Sequence, residues 1–243
     1  MEAWLMNKTE KKIMQLFHTA CGDYHLLEDG DRVLVALSGG KDSLQLVRLL
    51  GRQQKIYKPR IEVEAVHVVM DNIPYASDHG YLTDFCSECG VELHVVHTEF
   101  EERAGETKPK CFLCSWHRRK AIFTFATEHG FNKVALGHHQ DDVLVTLLMN
   151  MFYQGSIQTM PPLLKMRHYP LSVIRPMCLV PERMVSEVAE AEGFRKQLKM
   201  CPYEEVTQRK EIETLFHSME QRNPEVRHSL WGSMKNIYPE MLP

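Results

Sequence analysis

The chain has 243 residues, of which 44% are hydrophobic and 25% are charged, and its net charge at pH 7 is −3. This size and composition exclude an intrinsically disordered protein and a small fold that depends on disulfide bonds. The sequence has no apolar run of about 18 residues and no secretory signal pattern at its start, so we expect a cytoplasmic protein with no membrane partner.

The first two thirds of the chain alternate short apolar strands with helices. The predicted strands cover residues 32–37, 61–70, 91–98 and 133–137, and the predicted helices cover residues 44–50, 78–90, 112–129 and 141–153. Strands that alternate with helices in this way are typical of the α/β class. The sequence therefore predicts a doubly wound parallel sheet with helices on both faces.

The pattern changes after residue 160, where prolines interrupt the chain around a predicted strand at 172–175. A predicted helix over 181–192 stops at Gly193, and a polar helix is predicted over 204–221. We expect three parts, which are an N-terminal helical lead over 1–27, an α/β domain over 28–200 and a helical C-terminal extension over 201–243.

A glycine-rich motif follows the first predicted strand and precedes a helix. Its two glycines allow the backbone N–H groups to converge on one point, and the helix start adds the positive end of its dipole. The serines can donate hydrogen bonds, the lysine brings a compact charge, and the aspartate can position Mg²⁺. The motif predicts a phosphate site, with a plain capped turn as the alternative. Its residues are Ser38, Gly39, Gly40, Lys41, Asp42 and Ser43.

Cysteines and basic residues cluster at the start of the helix over 112–129. Cys111 and Cys114 are three residues apart, a spacing that can present both thiols to one metal or cluster, although a redox pair or two inert thiols have the same spacing. Residues 107–127 contain five Lys or Arg and no acidic residue. This charge indicates either phosphate contacts or a solvated helix face.

A second motif, Gly-His-His-Gln-Asp-Asp, runs from Gly137 to Asp142. It ends the fourth predicted strand and begins the next helix, at the same edge of the sheet as the phosphate motif. The two aspartates also suit a plain helix start, because negative charge is favourable there.

The motif at 38–43 resembles the PP-loop of the ATP-pyrophosphatase, or adenine nucleotide alpha-hydrolase, superfamily. The resemblance implies a HUP-like sheet that binds ATP at the end of the first strand, with residues 65–71 facing the adenosine. It also implies cleavage of ATP between the α and β phosphates, which leaves AMP on the activated substrate.

With both motifs, the cysteine pair, Met160-Pro-Pro, Ile174-Arg-Pro and a later cysteine, the chain resembles the tRNA 2-thiocytidine synthetase family over residues 30–238. Carried onto this sequence, the family implies a [4Fe–4S] cluster on three cysteines. The implied ligands are Cys111, Cys114 and Cys201, with Cys178 as the alternative third ligand because the sequence around Cys201 departs from the family. The implied catalytic residues are Lys41, Asp42 and Asp141, and Gly137 and His138 would join the ATP and Mg²⁺ site.

The implied reaction is adenylation of a cytidine in tRNA by ATP, followed by replacement of AMP with sulfur. The implied partners are tRNA, a sulfur donor such as a cysteine desulfurase, and a second copy of the chain. The alternatives are a lysidine or thiouridine synthetase of the same superfamily and a non-catalytic nucleotide or iron–sulfur protein. Cys86 and Cys89, outside the family pattern, are predicted to be core thiols, with a second metal site as the alternative.

Overall fold

The computed structural model describes residues 7–73, 77–100, 109–195 and 208–241. The chain divides into an α/β unit, Met1–His139 with Pro162–Glu204, and a helical unit, Gln140–Pro161 with Glu205–Pro243. The three-part division expected from the sequence stays a prediction.

The α/β unit is built on a sheet whose six described strands have the order β3-β2-β1-β4-β6-β5. The strands are β1 Arg32–Ala36, β2 Glu62–Met70, β3 Glu92–Thr98, β4 Lys133–Ala135, β5 Leu163–Lys165 and β6 Ser172–Ile174. All neighbouring strands are parallel except β5 and β6. The predicted doubly wound parallel sheet is confirmed.

Helices cover the sheet because apolar side chains alternate between its two faces. The helices of the α/β unit are α1 Lys8–Asp23, α2 Lys41–Gln53, α3 His79–Cys89, α4 Lys110–Glu128 and α6 Glu182–Ala191. Leu34 and Val134 point into a core that includes Ile122 of α4. The helix α2 packs against β1 and β2, and it also contacts α3 and α6.

The ends of several helices follow the local sequence signals. Asp78 caps α3 by accepting a hydrogen bond from the Tyr81 amide at 2.9 Å, and Gly90 ends the helix in the left-handed conformation at φ 74°. Gly193, which follows α6, also has a positive φ of 65°. These positions agree with the predicted ends of both helices.

The antiparallel strand β5 was not predicted. It has three residues, and Leu164 and Lys165 are both exposed, so it carries no buried apolar pattern. Pairing with β6 is what orders it. Such a strand depends on its neighbour and leaves little local signal.

The helical unit consists of α5 Gln140–Gln154, α7 Gln208–Arg222 and α8 Val226–Ser233. Its core is formed by Leu144, Val145, Leu148, Ile212 and Phe216. Within the residues that the structure describes, no helix is long and apolar enough to cross a membrane.

Candidate functional site

The two glycine-containing motifs leave the sheet at its topological switch point. From β1 the sheet continues to β2 on one side and to β4 on the other. Ala135, the last residue of β4, pairs with Val35, the residue before the last one of β1, so both strands end at the same edge. In sheets of this kind, ligands bind in the crevice beyond the carboxyl ends of such strands. The loops over 37–40 and 136–139 begin at this crevice.

The phosphate motif, residues 38–43, forms a tight loop, the phosphate loop, which is stabilised by hydrogen bonds of its own serines. Gly39 has φ 80°, a left-handed conformation that favours glycine, and Gly40 precedes α2 without a side-chain cap. The Ser43 hydroxyl donates to the Gly40 carbonyl at 2.9 Å and accepts from the Ser38 amide at 3.2 Å. The loop is therefore held in shape by the two serines that were predicted to donate to phosphate.

Gly137 lies directly against the start of α2. A Cβ atom at this position would lie 3.1 Å from the carbonyl carbon and oxygen of Asp42 and 3.1 Å from the Ser43 amide nitrogen. Only glycine allows the loop after β4 to approach the phosphate motif this closely without displacing backbone. The structure thus brings both predicted motifs together through Gly137.

Lys41 carries the positive charge of the loop and is held by two carboxylates. Its Nζ lies 2.8 Å from Glu182 Oε1, at the start of α6, and 3.3 Å from Asp42 Oδ1. Burial alone would lower the pKa of Lys41, but the hydrogen bond to Glu182 and the negative charge of Asp42 outweigh it and raise the pKa. Lys41 is therefore a fixed cation beside the loop, and Glu182 is a residue that the sequence analysis missed.

Two histidines of the second motif also have partners at this edge. His138 Nδ1 accepts a hydrogen bond from Arg175 Nε at 3.2 Å, and Arg175 follows β6. His139 Nε2 lies 3.9 Å from Asp42 Oδ1. Because Arg175 and His139 are both buried, these contacts are shielded from water. The sequence indicates Arg175 only as part of the Ile174-Arg-Pro motif and does not predict its contact with His138.

His67, at the centre of β2, connects the phosphate loop to neighbouring elements. Its Nδ1 lies 2.8 Å from the Leu37 carbonyl, and its Nε2 lies 2.9 Å from the Ser77 hydroxyl. Burial lowers the pKa of His67 and outweighs the opposing hydrogen bond to the Leu37 carbonyl, and the Arg118 guanidinium lowers the pKa further. The neutral ring therefore donates through Nδ1 to the end of β1, and Arg118 in α4 lies close enough to influence it.

The predicted cluster ligands Cys111 and Cys114 lie one turn apart at the start of α4, where Cys111 is exposed and Cys114 is half-buried. The Phe100 ring, two residues after β3 ends, lies 6.1 Å from the His117 ring in the second turn of α4, so α4 begins near the carboxyl edge of the sheet, the edge that also holds the phosphate loop. Two thiols at this spacing and exposure fit a metal or an iron–sulfur cluster. Cys201 lies outside the described residues.

The other four described cysteines all have raised pKa values. Cys178 is fully buried, and burial raises its pKa to about 12. Burial also raises the pKa of Cys21 to about 12, of Cys86 to about 12 and of Cys89 to about 11. These environments favour neutral thiols, whereas metal ligation requires the thiolate.

The predicted catalytic residue Asp141 belongs to the helical unit, where arginines from the C-terminal helices hold the start of α5. Arg227 Nη2 lies 2.7 Å from Asp141 Oδ1 and 2.7 Å from Glu220 Oε1. Arg209 pairs with Asp142. Nothing in the local sequence indicates these pairs, because their members are 86 and 67 residues apart.

Comparison with known proteins places these motifs in a family. The model of the PP-loop domain matches residues 5–196. The tRNA-cytidine(32) 2-sulfurtransferase of Pseudomonas fluorescens (strain Pf0-1) is 34% identical over 241 residues, which cover 97% of this chain and 87% of that protein. The protein of the same name from Cellvibrio japonicus (strain Ueda107) is also 34% identical, over 97% of this chain and 79% of its own length.

Solved structures give the same result for the fold. The U34-tRNA thiolase NcsA from Methanococcus maripaludis, determined with its [4Fe-4S] cluster, is 25% identical with a TM-score of 0.77, over 95% of this chain and 81% of its own. The NH3-dependent NAD synthetase from Campylobacter jejuni is 12% identical with a TM-score of 0.51, over 96% of this chain and 99% of its own, and supports the fold alone. The chain belongs to the PP-loop family and, within it, to the family of the tRNA-cytidine(32) 2-sulfurtransferases.

Proposed function

We propose that this protein is an ATP-dependent tRNA sulfurtransferase that converts a cytidine of tRNA to 2-thiocytidine. The proposal is supported by relatives of that name at 34% identity over 97% of the chain. The structural observation that carries it is the common position of the phosphate loop and the cysteine pair. The phosphate loop follows β1 at the carboxyl edge of the parallel sheet, and α4, with Cys111 and Cys114 in its first turns, begins near the same edge, since the His117 ring lies 6.1 Å from the Phe100 ring just after β3.

The phosphate loop supplies the groups that the activation step requires. The start of α2 and the Lys41 ammonium would bind the phosphates of ATP, and Asp42 would hold Mg²⁺ against the pyrophosphate. The cytosine 2-oxygen attacks the α-phosphorus, a new P–O bond forms, and the bond to the β-phosphate breaks to release pyrophosphate. Fixed positive charge at this position stabilises the charge that develops on the leaving group.

The sulfur step would use the cysteines at the start of α4. We propose Cys111, Cys114 and Cys201 as ligands of a [4Fe–4S] cluster, which supplies an iron position able to hold the sulfur to be transferred. The sulfur bonds to carbon 2 of the base, and AMP leaves with the original oxygen. The role of this chain is to bind the activated base beside those cysteines and to keep water away from the adenylate.

The partners follow from this chemistry. A tRNA is the substrate, and a sulfur donor such as a cysteine desulfurase would replenish the sulfur. We also propose a homodimer, as the family resemblance implies. We further propose a cytoplasmic location, since tRNA and ATP are both available in that compartment. Gly137, His138 and Asp141 remain proposed residues of the ATP-dependent reaction.

A second candidate is thiolation of a uridine. It is favoured by the similarity to the U34-tRNA thiolase, whose TM-score is 0.77. Both reactions consume ATP and transfer sulfur. Only the modified base, a cytidine or a uridine, distinguishes the two candidate functions.

The experiment is an anaerobic reaction of the reconstituted protein with tRNA, ATP, Mg²⁺ and sulfide. Nucleoside mass spectrometry measures 2-thiocytidine, and AMP release is measured in parallel. We expect AMP and 2-thiocytidine in equal amounts, and loss of both in the Lys41→Ala variant. Formation of 2-thiouridine would favour the second candidate, and the absence of any thiolated product with intact ATP binding would favour a non-catalytic protein.

A further inference from the structure

The outer face of α4 carries exposed aromatic side chains in successive turns. Phe112, Trp116 and Arg119 are spaced by four and three residues, so they lie on one face of the helix, and the half-buried Phe123 continues this spacing where α4 packs against the core. Phe112 is 44% exposed and Trp116 is 45% exposed. Large aromatic side chains at such exposure in neighbouring turns are uncommon unless they contact a partner.

Positive charge surrounds these rings. Lys120 Nζ lies 5.4 Å from the centre of the Trp116 ring, and Arg119 Nε donates to the Ser115 carbonyl at 3.2 Å. Both basic side chains are exposed. Because residues 107–127 contain no Asp or Glu, no acidic side chain of this segment offsets that charge.

The turn between β5 and β6 packs against the C-terminal half of α4. The Tyr169 ring lies 5.3 Å from the Phe123 ring, which fixes this turn against α4. The turn also carries the exposed residues Arg167 and His168, and the segment 163–181 contains no acidic residue. We name the set Phe112, Trp116, Arg119, Lys120 and Arg167 the α4 surface.

We propose that the α4 surface binds an unpaired stretch of the RNA substrate, with a base stacked on Trp116 and phosphates on Arg119, Lys120 and Arg167. This inference rests on the proposed function, since it assigns the contact surface for its tRNA. Exposed aromatic rings between cations suit single-stranded RNA, because unpaired bases stack on the rings while the cations bind the backbone. A regular duplex keeps its bases stacked within the helix and cannot use the rings in this way.

The location of the surface is consistent with the chemistry. Phe112 directly follows Cys111, and Trp116 lies two residues after Cys114. A loop of RNA bound along this face would therefore reach the first turn of α4, which carries the exposed Cys111, whereas Cys114 lies on the side of the helix that packs against the core.

The test compares an RNA hairpin whose single-stranded loop contains cytidines with a perfect duplex of equal length and charge. Binding to the full-length protein is measured by fluorescence anisotropy at several salt concentrations. We expect the wild type to prefer the hairpin. Trp116→Ala should weaken hairpin binding about tenfold and remove the preference, while Trp116→Phe should retain most of the affinity.

The basic residues have a separate signature. Arg119→Ala and Lys120→Ala should each flatten the salt dependence of binding by about 0.7 in slope, the value for a phosphate contact to a single strand. Trp116→Ala should leave the slope unchanged, because stacking releases no counterion.

Tyr57→Ala is the matched control, because Tyr57 is 75% exposed, lies 5.7 Å from the Arg60 guanidinium and precedes β2 at the amino edge of the sheet, whereas Trp116 lies near the start of α4. It should bind the hairpin like the wild type. Equal affinity of Trp116→Ala and wild type for the hairpin would overturn the assignment of the α4 surface to RNA. A protein partner would then be the alternative occupant of this surface. If the wild type binds ATP but neither the hairpin nor tRNA, the proposed function fails as well.

Discussion

Lys41 and Glu182 form an ion pair at 2.8 Å beside the phosphate loop. A triphosphate that binds this loop must compete with Glu182 for the ammonium group and also meets its negative charge. We predict that Glu182→Gln lowers the Kd for ATP severalfold, whereas Lys41→Ala raises it by tenfold or more. Isothermal titration calorimetry of the full chain measures both values.

The control for this prediction is Glu187→Gln, on the same helix α6. Glu187 accepts a hydrogen bond from Thr9 in α1, away from the loop, so its loss should leave the Kd for ATP unchanged. Weaker ATP binding by Glu182→Gln would show that Glu182 supports the nucleotide, for example through Mg²⁺, rather than competing with it.

We expect His67 to make the stability of the protein depend on pH. Its pKa in the folded protein lies below the ordinary value of 6.5, chiefly because burial disfavours the imidazolium, with a further contribution from the neighbouring Arg118 guanidinium. The unfolded chain therefore binds more protons as the pH falls, and stability is lost from about pH 6.5 downwards. We predict that His67→Gln reduces the fall in unfolding free energy between pH 7.5 and 5.5 by up to about 1.4 kcal/mol.

Urea denaturation at the two pH values measures this difference. His168→Gln is the control, since His168 is exposed in the β5–β6 turn. This variant should keep the pH dependence of the wild type. An unchanged pH dependence in His67→Gln would contradict the assigned role of burial at His67.

At the scale of elements, the loop after β4 is placed against α2 by a single glycine. We predict that Gly137→Ala weakens ATP binding by tenfold or more, because the added methyl group meets backbone atoms of Asp42 and Ser43 at 3.1 Å and the loop must shift. Gly22→Ala in α1 is the control, since its added Cβ meets nothing within 4 Å. ATP titration of both variants and their thermal unfolding distinguish a local shift from a loss of fold.

Within the helical unit, Arg227 joins α8 to both α5 and α7. Its guanidinium lies 2.7 Å from the Asp141 and Glu220 carboxylates, and only 7% of the Asp141 side chain is exposed. We predict that Arg227→Met destabilises the protein by about 3 kcal/mol, because Asp141 loses the partner of a buried charge. Urea unfolding of Arg227→Met, Asp141→Asn and the double variant tests this, and strictly additive effects would contradict the coupling.

At the scale of the whole molecule, the cluster requires cysteines that are distant in sequence. We predict about four irons per chain for anaerobic wild type, and less than about one for Cys111→Ser, Cys114→Ser or Cys201→Ser. Cys178→Ser should retain the iron content of the wild type, since the Cys178 side chain is fully buried in the α/β unit.

Iron and sulfide assays measure these contents, with Cys86→Ser as the control because Cys86 is a fully buried thiol. If Cys178→Ser loses the cluster and Cys201→Ser keeps it, the third ligand is Cys178. Stoichiometric zinc in colourless wild type would make the site structural.

The sequence by itself determined the fold class and the phosphate loop. Apolar runs bounded by turn residues locate strands such as β1 and β2, and capping residues such as Asp78 and Gly90 locate helix ends. These features depend on neighbours within a few residues, so local patterns are sufficient to predict them.

Only the tertiary structure decided which distant residues meet the predicted ones. Glu182 is 141 residues from Lys41, and Arg227 is 86 residues from Asp141. An acidic residue in the first turn of a helix or an arginine in a later helix has the same local pattern whether or not it has such a partner. Strand order and helix packing bring these charges together, and burial gives the Arg227–Asp141 pair an energetic weight that the more exposed Lys41–Glu182 pair does not have.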